Sequence, residues 1–294
     1  MAKKISLFLD SGAFTAKSKG VVINLDEYIA FVKENKDYID VYCNLDVIGD
    51  PVATWKNQEK MEKAGLAPLP VYHAGEPREY LDRCMKYGYF GVGGVADSTS
   101  GTRSAVFDWV FSIICPKENG FLPTHKVHGF AITSLAMILC YPWFSVDSTS
   151  WVMTSRMGSV FVPRVKDGKW IYDENPWKVM ISTRSPARQE AGQHFDTFPP
   201  EAQKVIIRYF EEKGYRVGRS EFRMEGKSYK TKGDERWNGE SVGGKREVER
   251  VLEEGLCNSY KLRDEMNIIY FLDLEKSVPR WPWPFMRQRR GLFK

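Results

Sequence analysis

Phe144-Ser145-Val146-Asp147-Ser148-Thr149-Ser150-Trp151 reads as an apolar strand that runs into an aspartate set among small hydroxyl residues. Those residues suit neither a core nor a helix interior, so the segment is built to be polar at a rim. Five similar strand ends precede it. At the N-terminus, Ile5-Ser6-Leu7-Phe8-Leu9 leads into Asp10-Ser11-Gly12-Ala13-Phe14, which puts a second carboxylate at the mouth of another strand. A series of βα units whose strand ends carry Asp, His or Gly predicts an α/β fold, a TIM-type (β/α)8 barrel with its reactive groups on one rim. Asp10 and Asp147 are its candidate catalytic pair.

The periodicity outward from that stretch supports the series. Leu25, Tyr28, Ile29 and Val32 recur at helical spacing with Asn24 as a candidate cap. A strand over 38–47 is followed by a helix that starts at Pro51 and stops at Gly65. Strands over 69–73 and 89–95 flank a helix over 76–87. A helix over 102–115, a strand over 126–132, a short helix over 134–139 and the strand ending at Asp147 complete six units, a series that favours a parallel barrel or a doubly wound sheet. Beyond Trp151 the pattern changes. Residues 160–165 and 170–172 around Asp167-Gly168 predict a hairpin insertion, and Pro199-Pro200 precedes a helix carrying Val205, Ile206, Tyr209 and Phe210. Residues 226–244 read as a polar, basic loop or ribbon, and 268–274 as a further buried strand. The domain reading is 1–158 for the βα units that carry the active site. Residues 159–294 are then barrel completion, hairpin insertion and a basic nucleic-acid-binding extension.

Composition bounds the partners. The chain has 294 residues with 43% hydrophobic content, enough for a large core. It has no apolar run near the roughly 20 residues of a membrane span and no secretory-type leader, so a cytoplasmic protein without a membrane partner is expected. The five cysteines, Cys43, Cys84, Cys115, Cys140 and Cys257, are scattered, which predicts buried free thiols and no metal site. From Glu201 onward, 21 Lys and Arg stand against 16 Asp and Glu, so the whole +5 excess lies in the last third. That third includes Arg216, Arg219, Arg223, Lys227, Lys230 and Lys232, and Arg287, Arg289 and Arg290 follow the aromatic segment Trp281-Pro282-Trp283-Pro284-Phe285. Such a mixture suits a phosphate backbone. A solvated charged face and a packed aromatic tail are the competing readings.

Four motifs in one order carry a family likeness. Asp10-Ser11-Gly12-Ala13-Phe14 resembles the Asp-Ser-Gly-Gly-Phe signature of tRNA-guanine transglycosylases, and 90–96 resembles their Gly-Gly-Leu-Ala base-binding strand. Asp147 stands where that family has its nucleophile, with Arg156 and Gly158 at matching offsets. The tRNA enzymes also carry a Cys-x-Cys-x-x-Cys plus His zinc site, whereas this chain has only Cys257 in that region. It has Ala13 for the second Gly and lacks the Val-Gly-Glu that follows Gly-Gly-Leu-Ala. With 127–133 and 141–148, the chain looks more like the DpdA-type DNA transglycosylases of phages and bacterial modification islands. That resemblance implies exchange of guanine in DNA for a 7-deazaguanine base such as preQ0, with DNA as partner and no zinc or other cofactor.

The chemistry asks for the same residue types. Base exchange needs a carboxylate to capture C1′, assigned to Asp147, and a second acid/base for the departing and arriving purines, assigned to Asp10. A purine slot needs a stacking ring, an acceptor for N1 and the 2-amino group, and amide donors for O6. Phe14, Asp46 and the Gly93-Gly94 backbone fit these, with Ser11 beside them. His73 stands where the tRNA enzymes have a glutamine and His128 where they have a pocket methionine. Arg156, Arg287, Arg289 and Arg290 are the candidate nucleic-acid contacts. Read without the likeness, Asp10 and Asp46 are equally suited to cap helices, and His73 and His128 to be satisfied interior histidines. A tRNA transglycosylase, a non-catalytic nucleic-acid-binding barrel and a glycoside hydrolase remain as alternative functions.

Overall fold

The structure is a computed structural model that describes residues 6–95, 99–132, 134–185 and 192–285. The chain divides into two compact units, Met1–Ser148 with Pro279–Lys294, and Thr149–Val278. The sequence reading had put its boundary after 158.

Six parallel strands organise the first unit: β1 (Phe8–Leu9), β2 (Val41–Tyr42), β3 (Val71–His73), β4 (Tyr89–Gly93), β5 (Lys126–Gly129) and β6 (Ser145–Val146). Phe8 pairs with Val41, a single bridge from Cys43 to Leu69 links β2 to the β3 segment, and β3, β4, β5 and β6 pair in chain order. Val71, Tyr72, Phe90, Val92 and Val127 are buried, the pattern of parallel strands covered on both faces. Phe8 of β1 stacks on His128 of β5 with ring centroids 4.2 Å apart although three strands lie between them in order. The two bridged sheets therefore bend round so that β1 comes back to β5. The fold is mixed α/β with parallel sheets, and no closed barrel is detected among the described residues.

Local chemistry sets the helices between these strands. Helix α1 (Ala13–Lys19) follows the first strand end, and α2 (Leu25–Asn35) is capped by Asn24, whose Oδ1 accepts from the Asp26 and Glu27 amides at 2.8 and 3.4 Å. Such a cap contributes about 1 kcal/mol. Tyr28, Ile29 and Val32 then face Leu45 and Met61. Helix α3 (Pro51–Lys63) starts on proline behind the Asp50 cap, and α4 (Arg78–Cys84) buries Tyr80, Leu81 and Cys84. Helix α5 (Ser100–Ile114) turns Phe107 and Phe111 toward Tyr141 and Trp143, and α6 (Leu135–Cys140) leads to β6. Phe285 joins that aromatic cluster. It is buried, stacks on Tyr141 at 5.7 Å, and its amide donates to the Phe121 carbonyl at 2.9 Å, while Trp281 packs edge-on to Phe144. The aromatic tail segment is thus a packing element, and burying such a ring is worth about 1.5–3 kcal/mol.

The strands of the second unit pair antiparallel. After α7 (Ser150–Arg156), β7 (Ser159–Val162) pairs with β10 (Trp177–Met180), and β8 (Arg164–Lys166) with β9 (Lys169–Ile171) forms the predicted hairpin. Asp167 and Gly168 both have positive φ, 50° and 76°, as the two-residue turn requires. Helix α8 (Pro200–Glu212) buries Ile206, Tyr209 and Phe210 against β7 and β10. The ribbon 226–244 belongs to a three-stranded sheet, β11 (Arg219–Gly226), β13 (Lys245–Glu253) and β12 (Glu235–Val242) in that order.

The expected strand over 268–274 is instead part of helix α9 (Tyr260–Ser277). Its buried residues Arg263, Met266, Asn267, Tyr270 and Leu274 follow the helical period, while Ile268 and Leu272 are exposed. The apolar run hid that period because its members point to two faces of one helix. Polar anchors fix α9: Asn267 accepts from the Phe161 amide at 2.8 Å, and buried Arg263 donates to the Ser155 and Leu256 carbonyls.

Candidate active site

Asp10, Asp46 and Asp147 follow the C-terminal ends of β1, β2 and β6, the end at which parallel α/β sheets place their reactive groups. They are close enough to repel one another. The Asp10 carboxyl is pushed above its ordinary range by burial first, then by the charges of Asp46 and Asp147, with the Ser11 and Gly12 amides pulling the other way. Asp10 nevertheless keeps an open face to solvent. A carboxyl pushed in that direction is suited to take up a proton and pass it on.

Asp46 sits in a chain of buried polar groups. Ser11 Oγ donates to Asp46 Oδ1 at 2.8 Å, His73 Nε2 meets Asp46 Oδ2 at 2.9 Å, and His73 Nδ1 meets Glu76 Oε1 at 2.9 Å. The other Glu76 oxygen accepts from the His73 amide at 3.2 Å. Burial alone would lower the His73 pKa, but the hydrogen bonds and charges of Asp46 and Glu76 outweigh it and push the ring up to about 9. Both of its nitrogens are engaged, so His73 has no N–H left for a ligand in this geometry. It orients Asp46, a role different from the O6 contact expected from its position in sequence. Gly94 lies against it, where a Cβ would come within 3.0 Å of both His73 Cβ and the Ala74 amide nitrogen. The Gly93-Gly94 backbone therefore closes over His73 with no side chain intervening.

Asp147 is held differently. Its Oδ1 accepts from the Ala131 amide at 2.9 Å, its own amide donates to the Gly129 carbonyl at 3.2 Å, and its side chain is 46% exposed. His128 Nε2 lies 3.6 Å from the same Oδ1. The His128 ring is buried between Phe8 and the edge of Phe130, and Nδ1 meets Ser145 Oγ at 2.7 Å. Ser145 Oγ in turn meets the Tyr89 hydroxyl at 2.6 Å. Phe130 fits only because Gly91 has no side chain: a Cβ there would stand 2.4 Å from its Cε2.

Asp10, Ser11, Asp46, His73, Gly93, Gly94, His128 and Asp147 lie at or just past strand ends of two parallel sheets joined by the Cys43–Leu69 bridge. Phe14 is half-exposed on α1 with an apolar face open to a ligand. Arg156 is an exposed residue at the end of α7, in the second unit. Arg287, Arg289 and Arg290 lie outside the described residues. Much of the basic last third is compensated by acids. Arg216 pairs with Glu253, Arg223 with Glu225 and Glu235, Arg236 with buried Glu249, and Arg250 with Asp234. Lys227, Lys230 and Lys232 make no ion pair among the described residues. None of the five thiols is in a disulfide, and no group of three His, Cys, Asp or Glu side chains among the described residues is arranged to hold a metal.

Sequence reasoning missed Glu76, Tyr89 and the role of Ser145. Glu76 sits in the turn after β3, where a carboxylate just past a strand end was itself the signal used for Asp10 and Asp147. Tyr89 opens β4 and reaches Ser145 across 56 positions of sequence, for which no local pattern exists. No family model, curated protein or solved structure matches the chain.

Proposed function

We propose that the rim of Asp10, Asp46 and Asp147 exchanges a guanine of DNA for a 7-deazaguanine base such as preQ0, on a TIM-type barrel to which the six parallel strands contribute. The observation that carries this reading is the convergence of Asp10, whose carboxyl is pushed above its ordinary range by burial and the neighbouring carboxylates, and an anchored, half-exposed Asp147 on two parallel-strand ends.

In the first half, a free oxygen of Asp147 attacks C1′ as the bond to guanine N9 breaks, and Asp10 gives its proton to the departing base. A glycosyl ester on Asp147 and a carboxylate on Asp10 result. In the second half, the arriving base loses its N9 proton to Asp10 and attacks C1′, and Asp147 leaves with its negative charge restored. Two displacements return the original configuration. Asp46, locked by Ser11 and His73, offers its remaining lone pairs to N1 and the 2-amino group of the purine. Phe14 supplies a stacking face, and the Gly93-Gly94 backbone supplies amides toward O6.

The preference for DNA over tRNA rests on the likeness to the DNA enzymes and on the absence of the tRNA enzymes' zinc cysteines from this sequence, since phosphate-binding cations serve either nucleic acid. The tail arginines Arg287, Arg289 and Arg290 would supply part of the hold on the phosphates of the strand whose base is flipped out. Cells that express the chain and make preQ0 provide the test, through nucleoside mass analysis of DNA and tRNA. A 7-deazaguanine nucleoside appearing in DNA supports the reading, its appearance only in tRNA moves the substrate, and its absence from both overturns base exchange. Neutralising Arg287, Arg289 and Arg290 together should flatten the salt dependence of DNA binding by up to about three counterions and leave binding of the free base unchanged.

A further inference from the structure

His128 Nε2 is buried and has no hydrogen-bond partner, although the ring that carries it is only 2% exposed. Phe8 stacked on one face and the edge of Phe130 prevent the ring from turning to find another partner. Leaving a buried polar atom unpaired is destabilising, so the orphan asks for an explanation. Asp147 Oδ1 lies 3.6 Å from it, just beyond hydrogen-bond range.

We propose that His128 is a positioning residue for Asp147, with Tyr89 and Ser145 behind it fixing which ring nitrogen carries the proton. This rests on the base-exchange reading only in taking Asp147 as the attacking group. Two directions of the chain are possible. If His128 Nδ1–H donated to Ser145, the Nε2 lone pair would face a carboxylate oxygen and be repelled. If Tyr89 O–H donates to Ser145 Oγ and Ser145 O–H donates to Nδ1, the proton sits on Nε2 and points at Asp147 Oδ1. The second direction satisfies every member of the chain and turns the orphan atom into a donor.

The slack at 3.6 Å then has a use. Oδ1 already holds the Ala131 amide, so a small rotation of the Asp147 carboxylate closes the His128 contact without breaking the first. With Oδ1 fixed by two donors, Oδ2 is the oxygen presented to a sugar carbon. No proton moves along the chain, and His128 keeps the same tautomer before and after attack.

Labelled-histidine NMR tests the contact without any need for turnover. The parent should show His128 protonated at Nε2. Ser145→Ala should weaken that preference, and Asp147→Asn should shift the Nε2 resonance. In exchange assays His128→Leu should lower kcat about 10- to 100-fold, the size typical of an outer-shell partner, with KM for the base unchanged, and His128→Gln, which keeps an N–H near the same point, should recover most of the loss. Protonation at Nδ1, an Nε2 signal indifferent to Asp147→Asn, or full kcat in folded His128→Leu would each overturn the proposal. A parent that exchanges no base would sink the base-exchange reading instead, while the spectrum still decides the His128–Asp147 contact.

Discussion

The two buried histidines of the rim, two strands apart on β3 and β5, are held in opposite ways. His73 has a carboxylate on each nitrogen at 2.9 Å. His128 has a hydroxyl on one nitrogen, nothing bonded to the other, and aromatic rings around it. The first arrangement is saturated: it fixes the Asp46 carboxylate and leaves no freedom in either partner. The second keeps one contact slack, and its carboxylate, Asp147, stays half-exposed. A group that only recognises a ligand gains from being fixed, whereas a nucleophile that must form and release a bond gains from an oxygen that can move. The contrast is the one the proposed exchange calls for, with recognition on the Asp46 side and covalent chemistry on the Asp147 side.

The largest effect that could break this assignment is on Asp147. Asp147→Asn keeps the volume and the Ala131 contact but removes the attacking charge, so exchange should fall by about 10⁴-fold or more, in the range seen when catalytic nucleophiles are deleted. Circular dichroism should show an unchanged fold, and no protein–DNA adduct should survive denaturation. An adduct that persists in this variant would take the covalent role away from Asp147. Asp10→Asn should cost about 10² to 10⁴-fold, the usual worth of a general acid, and should also make the protein more stable near neutral pH. The sign follows from the raised Asp10 carboxyl: the folded state disfavours its charge, so stability is lost as pH rises through its folded pKa, and asparagine removes that loss. A lower melting temperature for Asp10→Asn at neutral pH would show that Asp10 is a structural anion and not a strained acid.

What the sequence reveals and conceals follows the same division between local and distant contacts. Helix α2 was legible from Asn24 and the 28–29–32 spacing, and α3 from Pro51 and Gly65, because caps and turn residues act within a few positions. The strand ends bearing Asp10 and Asp147 were legible because small hydroxyl residues or glycine after an apolar run mark a rim. The partner of each group was not. His73 meets Asp46 from 27 positions away and His128 meets Ser145 from 17, and such meetings depend on strand register, which local pattern does not fix. The same limit hid which cations of the last third are paired, since Arg236 and Glu249 are cross-strand neighbours in β12 and β13. In α9 the failure was local: five consecutive apolar or aromatic residues, Ile268 to Leu272, outweighed a helical period spread over the whole helix.

The smallest effect sharpens the comparison from the saturated side. With its pKa at about 9 in the fold against about 6.5 unfolded, His73 stabilises the protein fully at pH values below about 6.5, and this contribution disappears as pH rises through about 9. Integrated over that window, the linkage is on the order of 3 kcal/mol. Glu76→Gln keeps the shape of the clamp and removes one of the two carboxylates, so the proton should leave His73 at a lower pH and the fall in stability between about pH 7 and 10 should become shallower. Urea unfolding of parent and variant across that range measures it. Binding of the purine should weaken only modestly, because Ser11 and His73 still hold Asp46. Parallel stability curves for the two proteins would mean that His73 is not charged between Asp46 and Glu76, and the recognition half of the rim would then be as slack as the reactive half.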